Sequence, residues 1–313
     1  MSSAERKVVG EKMITTISLA IVNLLLVILV APFSEGVMRK LKATVHSRKG
    51  PPFTQPYLDL LKLLGKEDLK VTENPLFSLA PVLTFASILI AALFTPMGTN
   101  PPLGFAGDLI VLVYFLALSS VGVMLGGAST GSPYGALGVG REMMLAMMVE
   151  IIVIASLIVG VIHIQSFDLG RISLWYRESG PTISMIIAAI TFFLTLQVQL
   201  GKLPFDLPDA DQEIMGGPFM EASGPKLALY KWSYFAKQIL LASLFLEIFL
   251  PWPKTGIIPV DILINLIKVF IVLIVVGLID AVNPRIRVDH AIRYFAGIWV
   301  VLILAIAFAL IEV

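Results

Sequence analysis

Ile183-Ser-Met-Ile-Ile-Ala-Ala-Ile-Thr-Phe-Phe-Leu-Thr-Leu-Gln-Val-Gln-Leu200 contains no ionisable side chain, and two residues later Leu203-Pro-Phe-Asp-Leu-Pro-Asp-Ala-Asp-Gln-Glu213 packs four acids into one short stretch. An apolar run approaching ~20 residues is long enough to cross the hydrocarbon core of a bilayer as a helix. The first stretch therefore reads as a membrane helix and the second as the loop at its end. A carboxylate held close to hydrocarbon loses hydration, which makes its charged form costly and brings it toward the range where protons move at neutral pH. Acids in that position suit ion coupling.

Seven further apolar runs follow the same rule, at Ile14 to Phe33, Leu79 to Thr95, Leu109 to Gly126, Met143 to Ile162, Trp232 to Leu250, Ile262 to Ile279 and Tyr294 to Ile311. With 57% hydrophobic and 14% charged residues the composition lies far from the soluble average of roughly 25% charged. Mean hydropathy is +0.90. The expected fold is an all-α membrane protein of eight transmembrane helices, one polytopic domain over residues 1–313. The first run lacks a small-residue cleavage site and continues into Pro32-Phe33-Ser34-Glu35, so it reads as a retained helix rather than a signal peptide.

No cysteine is present, which excludes a disulfide framework and a thiolate-held cluster, and His46, His163 and His290 lie far apart in sequence. No residues have metal-ligand spacing, and there is no phosphate loop, dinucleotide fingerprint or nucleophile motif. No redox centre or nucleic-acid partner is expected. Assigned to alternate connections, fifteen Lys and Arg from Arg39 to Arg293 fall on one side and six, from Arg6 to Lys254, on the other. Positive charge gathers in the cytoplasm, so the odd connections are expected inside and both termini outside.

The long cytoplasmic loops are expected at about residues 35–78 and 201–231. Within the first, Pro56 suits a first helical turn, and Asp59, Lys62 and Lys66 fall on one face of a short amphipathic surface helix. In the second, a helix capped near Asp206 would set Asp206, Asp209 and Glu213 in one stripe, with Asp211 turned away. Ordinary capping accounts for Asp206 and Asp209 but poorly for Glu213 and Glu221. Glu142 and Arg141 stand where the fourth run begins, and Glu150 follows deep among Met147, Met148, Val149, Ile151 and Ile152. An acid at that depth must face a cavity, carry a proton or meet a cation. Arg141 is too far along the helix to reach Glu150 and is free to hold the loop or a partner subunit. Lys237, Glu247, Lys268 and Asp280 also lie in or near spans. The groups around Arg48 and around Arg285, Arg287 and Asp289 combine Pro or Gly with guanidinium, which suits a carboxylate-bearing partner.

In chain order, His46-x-Arg48-x-Gly50-Pro51, Gln55-Pro-x-x-Asp59-x-x-Lys62-x-x-x-Lys66-Glu67, Ala136-Leu-Gly-x-x-Arg141 with Glu150, Pro204-Phe-Asp-Leu-Pro-Asp-Ala-Asp-x-Glu213 with Gly217 and Glu221, and Pro284-Arg-x-Arg-x-Asp289 resemble the signature set of subunit 1 of respiratory complex I and its homologues in membrane-bound energy-converting hydrogenases. The resemblance covers about residues 40 to 295. It implies a subunit at the joint between membrane and hydrophilic arms. Its odd loops would clasp a hydrogenase-like large subunit and a small iron-sulfur subunit, and its acids would begin a proton path into antiporter-like membrane subunits. By that resemblance Glu142, Glu150, Asp206, Asp209, Asp211, Glu213 and Glu221 form the proton relay. Arg48, Asp59, Lys62, Lys66, Arg141, Lys202, Arg285, Arg287 and Asp289 would face partners. The nickel-iron centre and iron-sulfur clusters would sit in those partners, with none in this chain. Many quinone-reducing members carry an acid and an Arg where this chain has Gln199 and Lys202, and a Glu where it has Ser233-Tyr234, which leans the expectation toward the hydrogenase branch.

Two other readings compete. A stand-alone secondary transporter would show inverted internal repeats, and none is evident. A passive anchor would use the same loops while its acids only cap and pair.

Overall fold

The computed structural model describes the backbone of residues 3–104 and 108–312, and the side chains over those stretches apart from residues 3–12 and Asp211. Eleven α-helices are found among the described residues: α1 (Ser3–Val45), α2 (Gln55–Leu64), α3 (Pro75–Phe94), α4 (Asp108–Ala128), α5 (Pro133–Ile164), α6 (Leu169–Ser179), α7 (Ile183–Gln199), α8 (Asp211–Ile214), α9 (Gly224–Phe249), α10 (Ile258–Val282) and α11 (Val288–Glu312). No strand occurs among the described residues. Among the described residues six helices are long and apolar enough to cross a membrane: α1 from Met13, α3, α4, α5, α10 and α11. Helix α7 is apolar but shorter, and α9 carries Lys226, Lys231, Lys237 and Glu247 and is not among the six.

Helix α9 is the hub. Every residue from Phe235 to Phe249 is buried, the pattern of a helix surrounded on all sides rather than one with a lipid face. Helices α1, α3, α7 and α10 pack around it, and α2 and α6 close over its flanks. Pro32 inside α1 helps fix this packing. Proline has no N–H to donate one turn back, so the Ile28 carbonyl is released from the helix ladder. The Trp232 indole of α9 donates to that carbonyl at 3.1 Å, and the Tyr57 hydroxyl of α2 donates to the neighbouring Leu29 carbonyl.

Several helices outrun the apolar stretches that announced them. α1 continues to Val45, α5 begins at Pro133 and α9 begins at Gly224. Arg, Lys, Glu and Met propagate a helix well, so the backbone pattern does not stop where hydrocarbon does. Glu35, Arg39, Arg141 and Glu142, which the apolar runs leave in loops or at their edge, are therefore fixed on helices. The short helix expected after Gln55 is α2, with Pro56 and Leu60 buried. Lys66 lies past its end. Helix α6 is unannounced by the hydropathy pattern. Its N-cap Asp168 accepts from the Arg171 N–H at 3.2 Å, and it buries Leu169, Ile172 and Tyr176 at helical spacing.

Candidate functional site

The connection from Gly201 to Ser223 is mostly turns, punctuated by Pro204, Pro208, Gly216, Gly217 and Pro218, with only Asp211–Ile214 helical before a 3-10 turn at Gly217–Phe219. The single stripe expected for Asp206, Asp209 and Glu213 is therefore not formed. Two prolines within five residues keep the first half from winding into a helix. Each acid is instead aimed separately. Asp206 pairs with Arg285 at 2.8 Å, and Glu213 pairs with Arg141 at 2.8 Å, whose guanidinium also donates to the Leu207 carbonyl at 3.3 Å. Arg141 thus holds the loop, one of the two roles that its distance from Glu150 left open. The Asp211 side chain lies outside the described residues.

Other contacts seat the loop between helix ends. The Leu203 N–H donates to Asp280 at 2.9 Å, and Lys42 pairs with the other oxygen of Asp280 at 2.9 Å. The Ile286 N–H donates to the Pro204 carbonyl at 3.1 Å. On the opposite side Gly138 of α5 lies so close to the 3-10 turn that an added Cβ would stand 2.7 Å from Gly217 Cα and 2.8 Å from Pro218 N. The loop is clamped to α1, α5 and the α10–α11 junction.

What it encloses is a cavity of about 500 Å³. Glu35 and Arg39 of α1, Glu142 of α5, Lys202, Asp206 and Asp209 of the loop, and Tyr230, Tyr234, Lys237 and Gln238 of α9 line it, with Phe205, Phe219 and Phe235 among its apolar walls. With Lys231 of α9 also in the lining, four carboxylates, four cations and two phenols meet in one water-accessible volume.

Glu35 is heavily engaged. It is 6% exposed, and it accepts from Lys202 at 2.8 Å, from Arg39 at 3.2 Å and from Gln238 at 3.2 Å. Arg39 reaches on to Asp59 of α2 at 3.0 Å, which also accepts from Gln55 at 2.9 Å. Burial alone would raise the Asp59 carboxyl, but donation from Gln55 and Arg39 and the positive charges of Arg39 and Lys231 hold it below the usual carboxylate value. A chain of charge-assisted hydrogen bonds thus runs from α2 on the surface to the buried end of Lys202.

Of the expected relay, Glu142, Asp206 and Asp209 meet at the cavity, while Glu150, Glu213 and Glu221 are not among its lining residues. Glu213 is 53% exposed, and Glu150 and Glu221 are half-buried with no ion pair among the described residues. Glu150 still acts at the cavity wall through its field, since both it and Glu142 bear electrostatically on Lys237. Of the expected partner-facing residues, Asp59, Arg141, Lys202 and Arg285 are spent on contacts within the chain, while Arg48, Lys62, Lys66, Arg287 and Asp289 are exposed. Glu35 and Gln238 are cavity residues that sequence reasoning missed. The one local signal was Arg39 four residues after Glu35, a helical ion-pair spacing.

The sequence matches the family described as NADH dehydrogenase over residues 17–311. The chain belongs to the NADH dehydrogenase subunit 1 family. Among its relatives it is 31% identical to hydrogenase-4 component C of Escherichia coli (strain K12), over 85% of this chain and 87% of that protein. It is 30% identical to formate hydrogenlyase subunit 4 of the same organism, over 86% and 91% of the two chains. Its fold matches a chain in the structure of the membrane-bound sulfane sulfur reductase, an archaeal respiratory membrane complex, with a TM-score of 0.85, 24% identity and coverage of 94% and 99%. That likeness extends the all-helical membrane architecture of the family across nearly the whole chain.

Proposed function

We propose that this member of the family is the non-redox membrane subunit that joins a hydrophilic electron-transfer arm to the ion-pumping arm of a complex I-like energy-converting hydrogenase. In this reading α7 and α9 also span the bilayer of the plasma membrane, making eight transmembrane helices with both termini outside. The cavity then opens toward the cytoplasmic side, where the exposed Arg48, Lys62, Lys66, Arg287 and Asp289 meet the hydrogenase-like large subunit and the iron-sulfur small subunit that carry the nickel-iron centre and clusters. Antiporter-like membrane subunits take up the protons. Similarity to hydrogenase-4 component C and formate hydrogenlyase subunit 4 supports the hydrogenase branch.

The observation that carries the reading is the charged cavity, where Glu35, Glu142, Asp206 and Asp209 meet Lys202 and Lys237. A charge arriving in a docked subunit changes the field at these acids, and in a partly dehydrated site that field is screened far less than in water. Coupling requires only that the group bind protons more tightly in one state of the partner than in the other. Asp206 and Asp209 stand at the loop side of the cavity, Glu142 at its α5 wall and Glu150 two turns deeper, a sequence of stations for protons leaving the loop toward the membrane interior.

The Phe205, Phe219 and Phe235 walls favour one variant of the reading, in which the same subunit serves a quinone-reducing complex and the cavity admits an apolar carrier. Reduction of an added quinone analogue by the assembled complex separates the two. In either case, Glu142→Gln is expected to lower protons moved per electron by at least about tenfold in sealed inverted membrane vesicles, because a positioned proton-transfer group contributes at least about that much. The amide fits the same space, so the level of assembled complex in the membrane should not fall. Unchanged proton movement in both Glu142→Gln and Glu150→Gln would refute the coupling role and leave the anchor reading.

A further inference from the structure

Lys237 is 7% exposed, yet it has no ion-pair partner among the described residues. An ammonium has three N–H donors. The hydrogen bond found for this one is to a neutral acceptor, Ser120 Oγ of α4, at 3.4 Å. Buried lysines are ordinarily matched to a carboxylate, because an unpaired charge is costly to desolvate. Lys226 on the same helix shows the ordinary solution, with Asp68 at 2.6 Å.

The surroundings of Lys237 explain the difference. Together with Glu142 and Ser120 it lines both the main cavity and a second, much smaller one, which has room for about one water. Tyr234 of α9 also lines both, and Thr84 of α3, Ser119 and Val123 of α4 and Ser233 of α9 complete the small cavity. Hydroxyls both donate and accept, so this wall can pass a proton as well as solvate one. The titratable groups that bear on Lys237 are Glu142 and Glu150 of α5. From α3 and α4 the cavity walls present the hydroxyls of Thr84, Ser119 and Ser120 and the apolar Val123, with no charged side chain.

Resting on the coupling role argued above, we infer that Lys237 is a proton-carrying residue at the junction of the two cavities, passing protons between the acid-lined chamber and the hydroxyl-lined space among α3, α4 and α9. In the transfer an Nζ–H bond breaks and, relayed by water in the cavity both residues line, an O–H bond forms on Glu142, so that two opposite charges become two neutral groups. The amine then regains a proton from the side of the small cavity, and Glu142 releases its own to the chamber. One proton moves and no electron changes hands. When Glu142 already holds a proton, the ammonium keeps less compensating charge, so the occupancy of one group sets the direction of transfer at the other.

The rival role is a fixed positive charge that only holds the two acids in place. Arginine distinguishes them, since its guanidinium keeps the charge and does not deprotonate in proteins. In sealed inverted vesicles bearing the assembled complex, protons moved per electron would be read for the unaltered protein, Lys237→Met, Lys237→Arg and Glu142→Gln. Both lysine variants are expected to lose at least about tenfold, on the scale of a missing proton-transfer group. Recovery of the ratio in Lys237→Arg would overturn the inference in favour of a fixed charge. An unaltered ratio in Lys237→Met would overturn it outright. If Glu142→Gln loses coupling while the lysine variants keep it, the inference fails and the coupling role stands; if none of the three loses it, the coupling role fails as well. Should Lys237→Met not accumulate in the membrane, Lys237→Arg decides alone.

Discussion

Glu35→Ala is expected to destabilise the subunit by about 3–5 kcal/mol, the scale for removing one partner of a buried ion pair and stranding the other. Lys202 makes its 2.8 Å contact with Glu35 while only 16% exposed, and in the same step Gln238 would lose its acceptor and Arg39 one of its two. No other carboxylate pairs with Lys202 among the described residues. The damage should be largely reversed in Glu35→Ala combined with Lys202→Met, because removing both charges removes the desolvation problem with the attraction. Thermal unfolding of the detergent-solubilised complex and the level of assembled subunit in the membrane measure both effects. A loss below about 1 kcal/mol, the value of a solvent-screened surface pair, would mean that water reaches this group freely.

Gly217→Ala carries the second large effect. Its backbone sits at φ +50°, and a Cβ there would collide with the Pro208 carbonyl oxygen, a contact that backbone atoms cannot relieve by rotating a side chain. The left-handed conformation costs an L-residue about 1–2 kcal/mol, and forced overpacking adds about 1–3 kcal/mol. The turn must move, and with it the loop that carries Asp206 and Asp209 over the cavity. Gly138→Ala, which meets the same turn from α5 without the strained φ, should be the milder of the two. Limited proteolysis within residues 203–216 offers a direct readout: faster cleavage in Gly217→Ala than in Gly138→Ala is expected, and equal resistance in both would show that the glycine contact does not hold the loop.

These residues also mark where sequence reading reaches and where it stops. Apolar length located the six helices long and apolar enough to cross a membrane among the described residues, and Pro56 located α2, because both signals are local. The acids of the 203–213 loop were legible for the same reason, as charge beside a long apolar run. Their arrangement was not. A helical stripe through Asp206, Asp209 and Glu213 is a local expectation, and Pro204 and Pro208 defeat it locally, but the pairing of Asp206 with Arg285 and of Glu213 with Arg141 belongs to the packing of distant helix ends. Glu35 was missed because the first apolar run ends at Phe33 and its partner Lys202 is 167 residues away. The start of α9 was misplaced because Lys226 breaks the apolar pattern, although the folded chain buries that lysine against Asp68 and the Phe77 ring. Charge in a sequence reads as surface, and only the tertiary structure shows which charges are matched inside.

In the proposed coupling, the proton occupancy of the cavity acids answers to electrons in a docked arm. Redox-triggered infrared difference spectroscopy of the intact complex reads that occupancy directly, since a carboxyl group shows its C=O stretch only when protonated. Delivery of electrons is expected to produce a carboxyl band that is lost in Glu142→Gln or Asp206→Asn, while the redox signals of the proposed partner subunits remain. A difference spectrum with no carboxyl change, or one that both substitutions leave intact, would contradict the account.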